Sequence, residues 1–358
     1  MSHIRDDKSA QEVYYKPEDG HDRGELFGHT NLSALNEAPV LHPSHYQSAS
    51  IQAVKKTNTQ LTKRIPPRRI ALCGGGIRGV AHVGVMKAFE EAGLLGHIKE
   101  VMGISAGAFF SLLWVLDYTV AQIEHLALEL DFTKLRNIQP ETVLSFPLTF
   151  GLDDGQGIEK LIGSVLKQKG FSPEATFEQI AVKHAKHLRC FATEIQTSKV
   201  REFSTVKTPK TSVKFAIRAS MSLPFFYTPV KEESTGALLM DGALLNNLPL
   251  VFLNEQEIRE TWGVLFSITY GTTIQPIHDI MEVIRYIYDS AKIMKNVPYI
   301  HKFGDRLILI PISDFSALNF EESREERAKL IAKAHRLTKK FIYSFAKEIR
   351  PLRRFSAS

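Results

Sequence analysis

The chain has 358 residues, 44% of them hydrophobic and 23% charged, so it is long enough to bury a large core. Its net charge of +6 comes from residues 323–358, which hold 11 Lys and Arg against 3 Asp and Glu, whereas the remainder holds 34 against 36. Because the body of the chain carries no positive excess, we expect no nucleic-acid partner.

Strand and helix patterns alternate along most of the chain. Residues 1–64 are polar and without periodicity, and we expect a largely disordered or loosely attached segment. The predicted strands are 69–73, 98–103, 188–195, 199–204, 237–241, 262–269 and 306–311. The predicted helices are 79–92, 106–117, 120–130, 157–168, 176–186, 212–220, 277–295 and 321–349. This order predicts an α/β fold, a three-layer α/β/α sandwich with a mostly parallel central sheet, over residues 65–320.

The two cysteines and the apolar segments indicate the compartment. Cys73 and Cys190 lie in predicted strands and have neither disulfide-framework nor zinc-site spacing, so we expect core residues in a reducing environment. The N-terminus lacks the apolar segment of a signal peptide, and the longest apolar run, 106–116, is too short to span a bilayer. We therefore expect a cytoplasmic protein that at most lies on a membrane surface.

A glycine-rich turn follows the first predicted strand. Gly74, Gly76 and Gly79 fit G-x-G-x-x-G between a strand and a helix, which is typical of a dinucleotide site. Such a site needs an acidic residue at the end of the second strand, and Glu100 lies too early for that role. A tight turn that needs glycine for a positive φ is an equally good interpretation of this stretch alone.

A second motif follows the second predicted strand. Residues 103–107, Gly-Ile-Ser-Ala-Gly, form the G-x-S-x-G pattern of a nucleophile elbow, in which Ser105 is exposed on a sharp strand-to-helix turn. Flanking side chains would clash with the neighbouring strand and helix. The N-terminus of the following helix favours negative charge beside the serine. With a serine here, the first turn and Arg78 also fit an oxyanion hole.

A serine nucleophile needs a proton acceptor, and the histidines offer none in a recognisable motif. His82 fits a residue that packs beneath the glycine turn, and His184 and His187 fit a solvated face better than a metal site. Asp241 ends an apolar strand before Gly-Ala, so it could lie with Ser105 at the carboxyl ends of strands. By itself this stretch fits an aspartate that begins a turn better than a catalytic one.

The three motifs together resemble those of the patatin-like phospholipases, a family of lipid acyl hydrolases. The family's G-G-G-x-R-G turn, G-x-S-x-G elbow and D-G-[GA] turn occur in the same order at residues 74–79, 103–107 and 241–243. Stretches such as HVGVMKAFEEAG, ASMSLPFFYTPV and DGALLNNLPL are also similar to the family. The resemblance covers residues 69–250, and Ala243 stands where glycine is commoner.

The resemblance implies both the reaction and its residues. Ser105 would be the nucleophile of a Ser-Asp dyad whose second member is Asp241, with no histidine. The oxyanion hole would be formed by Gly74, Gly75, Gly76 and Arg78. We expect no cofactor and no metal, and a phospholipid or other acyl lipid as substrate. Cleavage would follow the phospholipase A or lysophospholipase type. The alternative is a lipid- or protein-binding module that has lost turnover, and a dinucleotide enzyme is a third possibility.

Two further features concern lipid surfaces and partners. Four phenylalanines in predicted loops could line the substrate mouth or pack in the core: Phe146, Phe150, Phe225 and Phe226.

In the basic amphipathic segment 321–358, an apolar stripe from Leu330 to Ile349 predicts a helix packed on the domain. Arg350, Arg353 and Arg354 extend the basic charge and favour an anionic membrane surface as partner. Delivery into a host cell as an effector is compatible with residues 1–64, and an activating protein stays unidentified.

Overall fold

The central element of the fold is a β-sheet. The computed structural model describes residues 65–267, 276–278, 280–312 and 320–349. The strands are β1 Arg69–Leu72, β2 Glu100–Ile104, β3 Gly151–Asp153, β4 His187–Glu194, β5 Lys199–Ser204, β6 Phe225–Tyr227, β7 Val230–Lys231, β8 Leu238–Asp241, β9 Thr261–Ser267 and β10 Leu307–Pro311. The main sheet has the order β10-β9-β1-β2-β4-β8-β7, with β5 also paired to β4, and β3 pairs with β6 in a separate small sheet.

The core of the main sheet is parallel, as predicted. The pairs β10–β9, β9–β1, β1–β2 and β2–β4 are parallel, whereas β5, β8 and β7 join in antiparallel directions. Residues 261–266 of β9 are all buried. Because successive side chains of a strand point to opposite faces, both faces of the sheet are covered. This agrees with the predicted three-layer arrangement.

Helices connect and cover the strands. They are α1 Ala81–Glu91, α2 Ala106–Val115, α3 Val120–Glu129, α4 Pro140–Thr149, α5 Gln156–Gln168, α6 Phe177–Lys183, α7 Val213–Ser220, α8 Glu255–Arg259, α9 Ile280–Phe303 and α10 Arg324–Ile349. The C-terminal stripe packs as expected, because Leu330, Ala334 and Phe345 are buried in the common core. None of the helices in the described ranges is long and apolar enough to cross a membrane.

The predicted strands and helices are confirmed with shifts at their ends, whereas several short elements were not predicted: α4, α8, β3, β6 and β7. Phe146 lies in helix α4, and Phe225 and Phe226 lie in strand β6, although the sequence predicted loops. The pattern failed because α4 has no buried residue and therefore no buried face to produce a periodic signal. The expectations for residues 1–64 and for Arg350, Arg353 and Arg354 lie outside the described residues.

Strand β4 brings the ends of β2 and β8 together. Its first half pairs with β2, where Phe191 lies opposite Ile104, and its second half pairs with β8, where Ala192 lies opposite Asp241. Ser105 and Asp241 both lie at the carboxyl ends of their strands, as expected, although β8 runs antiparallel to β4 and reaches this level from the opposite direction. The two strands nevertheless end at neighbouring positions of β4, so Ser105 and Asp241 come together.

We expect Gly84→Ala to destabilise the fold, although alanine is the better helix former by about 1 kcal/mol. A Cβ at Gly84 in α1 would lie 2.1 Å from the carbonyl oxygen of Ile331 in α10. Overpacking of this kind costs about 1–3 kcal/mol, and thermal unfolding should show a lower Tm. Gly96→Ala is the control, because no atom lies within 4 Å of its added Cβ. Equal melting of the Gly84 variant and wild type would contradict this close approach.

Candidate active site

The predicted nucleophile occupies a strained turn between β2 and α2. Ser105 has φ 54° and ψ −128°, a conformation that L-residues rarely adopt and that costs about 1–3 kcal/mol. A Cβ at Gly103 would lie 2.2 Å from the Gly107 carbonyl oxygen, and one at Gly107 would lie 2.4 Å from that of Leu72. Any side chain at these two positions would clash with the backbone, so both require glycine, as the motif predicts.

A second serine holds this turn in place. The Ser105 backbone N–H donates to the Ser220 Oγ at 2.9 Å, and the Ser220 hydroxyl donates to the Phe191 carbonyl oxygen at 2.6 Å. Ser220 ends helix α7 and is fully buried. It ties the elbow to strand β4. The sequence analysis missed it, because a serine at a helix end has no motif of its own.

Asp241 is buried beside Ser105. One carboxylate oxygen accepts the Ala243 N–H at 2.8 Å, and the Ser105 hydroxyl hydrogen-bonds to the same carboxylate. Burial raises the pKa of Asp241, whereas the bonds from Ser105 and Ala243 and the charge of Lys292 oppose the rise. A desolvated carboxylate that contacts the serine hydroxyl is a stronger base than one in water.

The glycine turn lies against the serine and is fixed by an asparagine. Asn247 accepts the Gly74 N–H at 3.0 Å and donates its amide to the Gly74 carbonyl oxygen at 3.3 Å. Gly74 therefore has its amide engaged, contrary to the expectation that it could serve an oxyanion. Gly75 and Gly76 line the pocket together with Ser105, and Gly76 has φ 57°.

Arg78 faces a carboxylate that the sequence analysis did not identify. Its guanidinium nitrogens donate to both carboxylate oxygens of Asp289 at 3.2 Å each, and both side chains are about 2% exposed. The side chain does not line the pocket with Gly75 and Gly76. The sequence analysis expected Arg78 to add its charge to the oxyanion hole, and in the structure this charge is paired with Asp289.

Helix α9 contributes residues that sequence reasoning missed. Tyr288, Asp289 and Lys292 lie along its inner face, and Tyr288 and Lys292 line the pocket that contains Ser105. The Tyr288 hydroxyl is buried without a hydrogen-bond partner among the described residues. The available signal was an aspartate and a lysine one helical turn apart within an apolar pattern, which indicates buried charges that need partners.

The remaining candidates have structural roles. The His82 Nε2 lies 2.9 Å from the Cys73 carbonyl oxygen, and its ring stacks on Phe266 with centroids 4.8 Å apart. Burial lowers the pKa of His82 to about 4, so the ring is neutral, in agreement with packing beneath the turn. Burial raises the pKa of the Cys73 thiol to about 12, which excludes a thiolate nucleophile near neutral pH.

The pocket that contains Ser105 and Asp241 is mainly apolar. Besides these two residues and the glycine turn, its lining includes Phe109, Phe110, Leu161, Leu223, Ile284 and Phe320. An apolar wall that ends at a serine nucleophile fits a fatty-acyl chain whose carbonyl lies at the serine.

Large apolar side chains are exposed on α4 and on the small sheet. Leu144 and Leu148 are each 82% exposed, whereas Phe226 is buried. Phe150 and Phe225 are both about half exposed and both have positive φ values, 59° and 66°. The pairing of Gly151 with Phe225 places these two phenylalanines next to each other. Leu223, which precedes β6, and Tyr227, which ends it, line the pocket on either side of Phe225.

A serine elbow, a buried carboxylate and a glycine turn on an α/β sheet define an acyl-transfer site. A family model described as patatin-like phospholipase matches residues 70–253. The chain belongs to the patatin-like phospholipase family, whose members hydrolyse acyl lipids. The family region contains all three motifs and ends before helix α9.

Curated relatives match to different extents. Uncharacterized protein R571 of Acanthamoeba polyphaga mimivirus is 28% identical over 275 residues, 74% of this chain and 89% of that protein. Uncharacterized protein YqhO of Bacillus subtilis is 26% identical over 280 residues, 75% of this chain and 96% of that protein. Mouse patatin-like phospholipase domain-containing protein 6 is 29% identical over 180 residues, which cover half of this chain and 12% of that protein.

A solved structure supports the fold. VipD from Legionella pneumophila superposes with a TM-score of 0.54 at 16% sequence identity, covering 82% of this chain and 73% of that chain. At this identity the similarity concerns the fold alone.

We expect Asn247→Ala to lower kcat for ester hydrolysis on the order of tenfold with little change in KM. The variant leaves the Gly74 amide unsatisfied and the turn beside Ser105 less fixed, which costs about 1–3 kcal/mol. Asn246→Ala is the matched control, because Asn246 is also buried and bonds to Tyr299 and Leu248 rather than to the glycine turn. Equal kcat losses in the two variants, measured with a soluble ester, would contradict a specific role of Asn247.

Proposed function

We propose that this protein is a phospholipase of the A or lysophospholipase type that cleaves fatty-acyl esters through a serine acyl-enzyme. The observation that carries the proposal is the contact between Ser105, held on a strained turn, and the buried carboxylate of Asp241. The apolar pocket beside them supports an acyl lipid as substrate. No histidine is needed, because the carboxylate contacts the serine directly.

The reaction follows from this arrangement. The Ser105 hydroxyl gives its proton to Asp241 while its oxygen forms a bond to the acyl carbon, and the carbonyl oxygen gains negative charge. Gly75 and Gly76 line the pocket and α2 begins directly after Ser105, so their amides would stabilise that charge. The alcohol leaves with the proton from Asp241, and water then attacks the acyl-enzyme and releases the fatty acid.

The competing hypotheses fit the site less well. A binding module without turnover has no need of a strained Ser105 in contact with a buried base, a conformation that costs stability. A dinucleotide enzyme requires free amides at the glycine turn, yet Asn247 occupies that of Gly74. Strain kept at a nucleophile is typical of catalysis.

We further propose that the protein works at a lipid surface as a peripheral, cytoplasmic enzyme. Leu144, Leu148, Phe150 and Phe225 form what we call the apolar rim, which is exposed and continuous along the chain with pocket residues on β6. Burial of such side chains in the acyl region of a bilayer is favourable. The basic end at 350–354 remains a predicted contact for anionic lipid. An activating partner and delivery as an effector remain hypotheses.

Ser105→Ala and Asp241→Asn should each lower lipid acyl hydrolysis on the order of 10³-fold or more, because the two groups act as one unit. The double variant should be little worse than either single variant. Release of fatty acid from phosphatidylcholine vesicles measures the rate. A folded Ser105→Ala protein that keeps its activity would overturn the dyad.

Labelling identifies the nucleophile independently of the natural substrate. A fluorophosphonate probe followed by peptide mapping should modify Ser105 in the wild type and not in Ser105→Ala. Cys73→Ala is the control that should keep the label, because its thiol is buried and protonated. A label mapped to any other residue would contradict the proposal.

Leu144→Ser combined with Leu148→Ser should weaken binding to phosphatidylcholine–phosphatidylserine vesicles on the order of tenfold, since two exposed leucines lose their burial in lipid. Hydrolysis of a soluble short-chain ester should be retained. Val182→Ser with Val206→Ser is the matched control, because each valine is 86% exposed and neither belongs to the apolar rim. The rim is not the lipid contact if both double variants co-sediment alike.

A further inference from the structure

Helix α9 carries two buried charges into the site from outside the region that matches the family. Asp289 and Lys292 are 1% and 6% exposed, and they lie one helical turn apart. Lys292 lines the same pocket as Ser105 and Asp241. Its ammonium also lies 4.7 Å from the centroid of the Tyr288 ring, which holds the side chain against the inner face of the helix.

Four buried charges form one cluster at the base of the pocket. Arg78 and Asp289 make a two-point ion pair at 3.2 Å. Lys292 interacts electrostatically with both Asp289 and Asp241. Two basic and two acidic side chains lie together, and buried charges are tolerated when they have such partners. Arg78 pairs with Asp289 and does not line the pocket, whereas Lys292 lines it together with Asp241.

We propose that Lys292 is a positioning residue of the reaction, which keeps Asp241 in the form that accepts a proton and leaves the cluster cationic once the proton has been accepted. The proposal rests on the proposed Ser105–Asp241 dyad and assigns a role to a side chain that the family motifs do not include. Lys292 acts through Asp241 and forms no bond to the substrate.

The charge balance of the first step explains why a cation beside Asp241 favours the reaction. The Ser105 proton moves to Asp241, the Ser105 oxygen bonds to the acyl carbon, and the carbonyl electron pair moves onto its oxygen. Asp241 thereby loses its negative charge as the oxyanion acquires one, and Lys292 stays in the same pocket. The compensating charge is already in place, so no group has to move during the reaction.

Other titratable groups around Asp241 do not change charge in the working pH range. Burial raises the pKa of the Tyr288 phenol well above its usual value and that of the Cys73 thiol to about 12. The Ser105 hydroxyl is a donor, and Arg78 is paired with Asp289. Burial lowers the pKa of Lys292 itself, and the charges of Asp289 and Asp241 oppose that fall.

The direction in which loss of Lys292 should move the pKa of Asp241 follows from the two influences on this carboxyl group. Burial raises the pKa of this carboxyl, and the positive charge of Lys292 opposes the rise. Without that charge the pKa of Asp241 should be higher, so the carboxylate would be protonated, and inactive as a base, up to a higher pH.

The test is the pH dependence of kcat/KM for a soluble short-chain ester, measured on the full chain. Lys292→Met should move the acid limb to higher pH and lower kcat/KM on that limb on the order of tenfold, as expected for loss of one nearby opposite charge. Lys292→Arg should restore the wild-type limb. Lys295→Met is the control on the same helix, because Lys295 donates to the Leu244 carbonyl oxygen and does not line the pocket.

Folding and the dyad are checked separately. Each variant is compared by circular dichroism and by fluorophosphonate labelling of Ser105, and Lys292→Gln replaces the methionine variant if that one does not fold. An unmoved acid limb in a folded, labelled neutral variant would overturn the proposal, as would a shifted limb in Lys292→Arg. A wild-type protein that is neither active nor labelled at Ser105 would instead overturn the proposed function.

Discussion

The pairing of strand β4 with two different strands is the constraint on which the site depends. Phe191 pairs with the last residue of β2 and Ala192 with the last residue of β8, so one peptide step of β4 sets the separation of Ser105 and Asp241. The same strand receives the Ser220 hydroxyl at the Phe191 carbonyl oxygen. Ser105, Asp241 and Ser220 therefore share one rigid support, which keeps their mutual geometry fixed.

Around strand β4, the buried charged groups lie beside partners that balance their charge. The pocket wall is apolar, and three pairs of polar groups interact in or beside it: Gly74 with Asn247, Arg78 with Asp289, and Ser105 with Asp241. Low polarity strengthens each of these interactions and makes an unpaired member costly. The same apolar environment that suits a fatty-acyl chain thus also orders the catalytic groups.

Local features of the site could be predicted from sequence, whereas its distant contacts could not. The G-x-S-x-G pattern specifies a backbone conformation within five residues, so the elbow followed directly. The antiparallel direction of β8 depends on pairing with a strand nearly fifty residues away, and no local pattern encodes it. Asp289 belongs to a helix outside the motif region, and its partner Arg78 lies 211 residues earlier. Helix α4 gave no periodic signal because none of its residues is buried.

The salt bridge between Arg78 and Asp289 means that the working unit is larger than the segment that carries the motifs. A graft of residues 70–253 into another protein would transplant every signature residue together with a buried guanidinium that has lost its carboxylate. Such an uncompensated charge costs about 3–5 kcal/mol, comparable to a large part of the stability of an ordinary domain. Whether a segment of this fold can be transferred therefore depends on its charge pairing with helix α9. The ends of the region that carries the motifs are not positions at which the chain can be recombined.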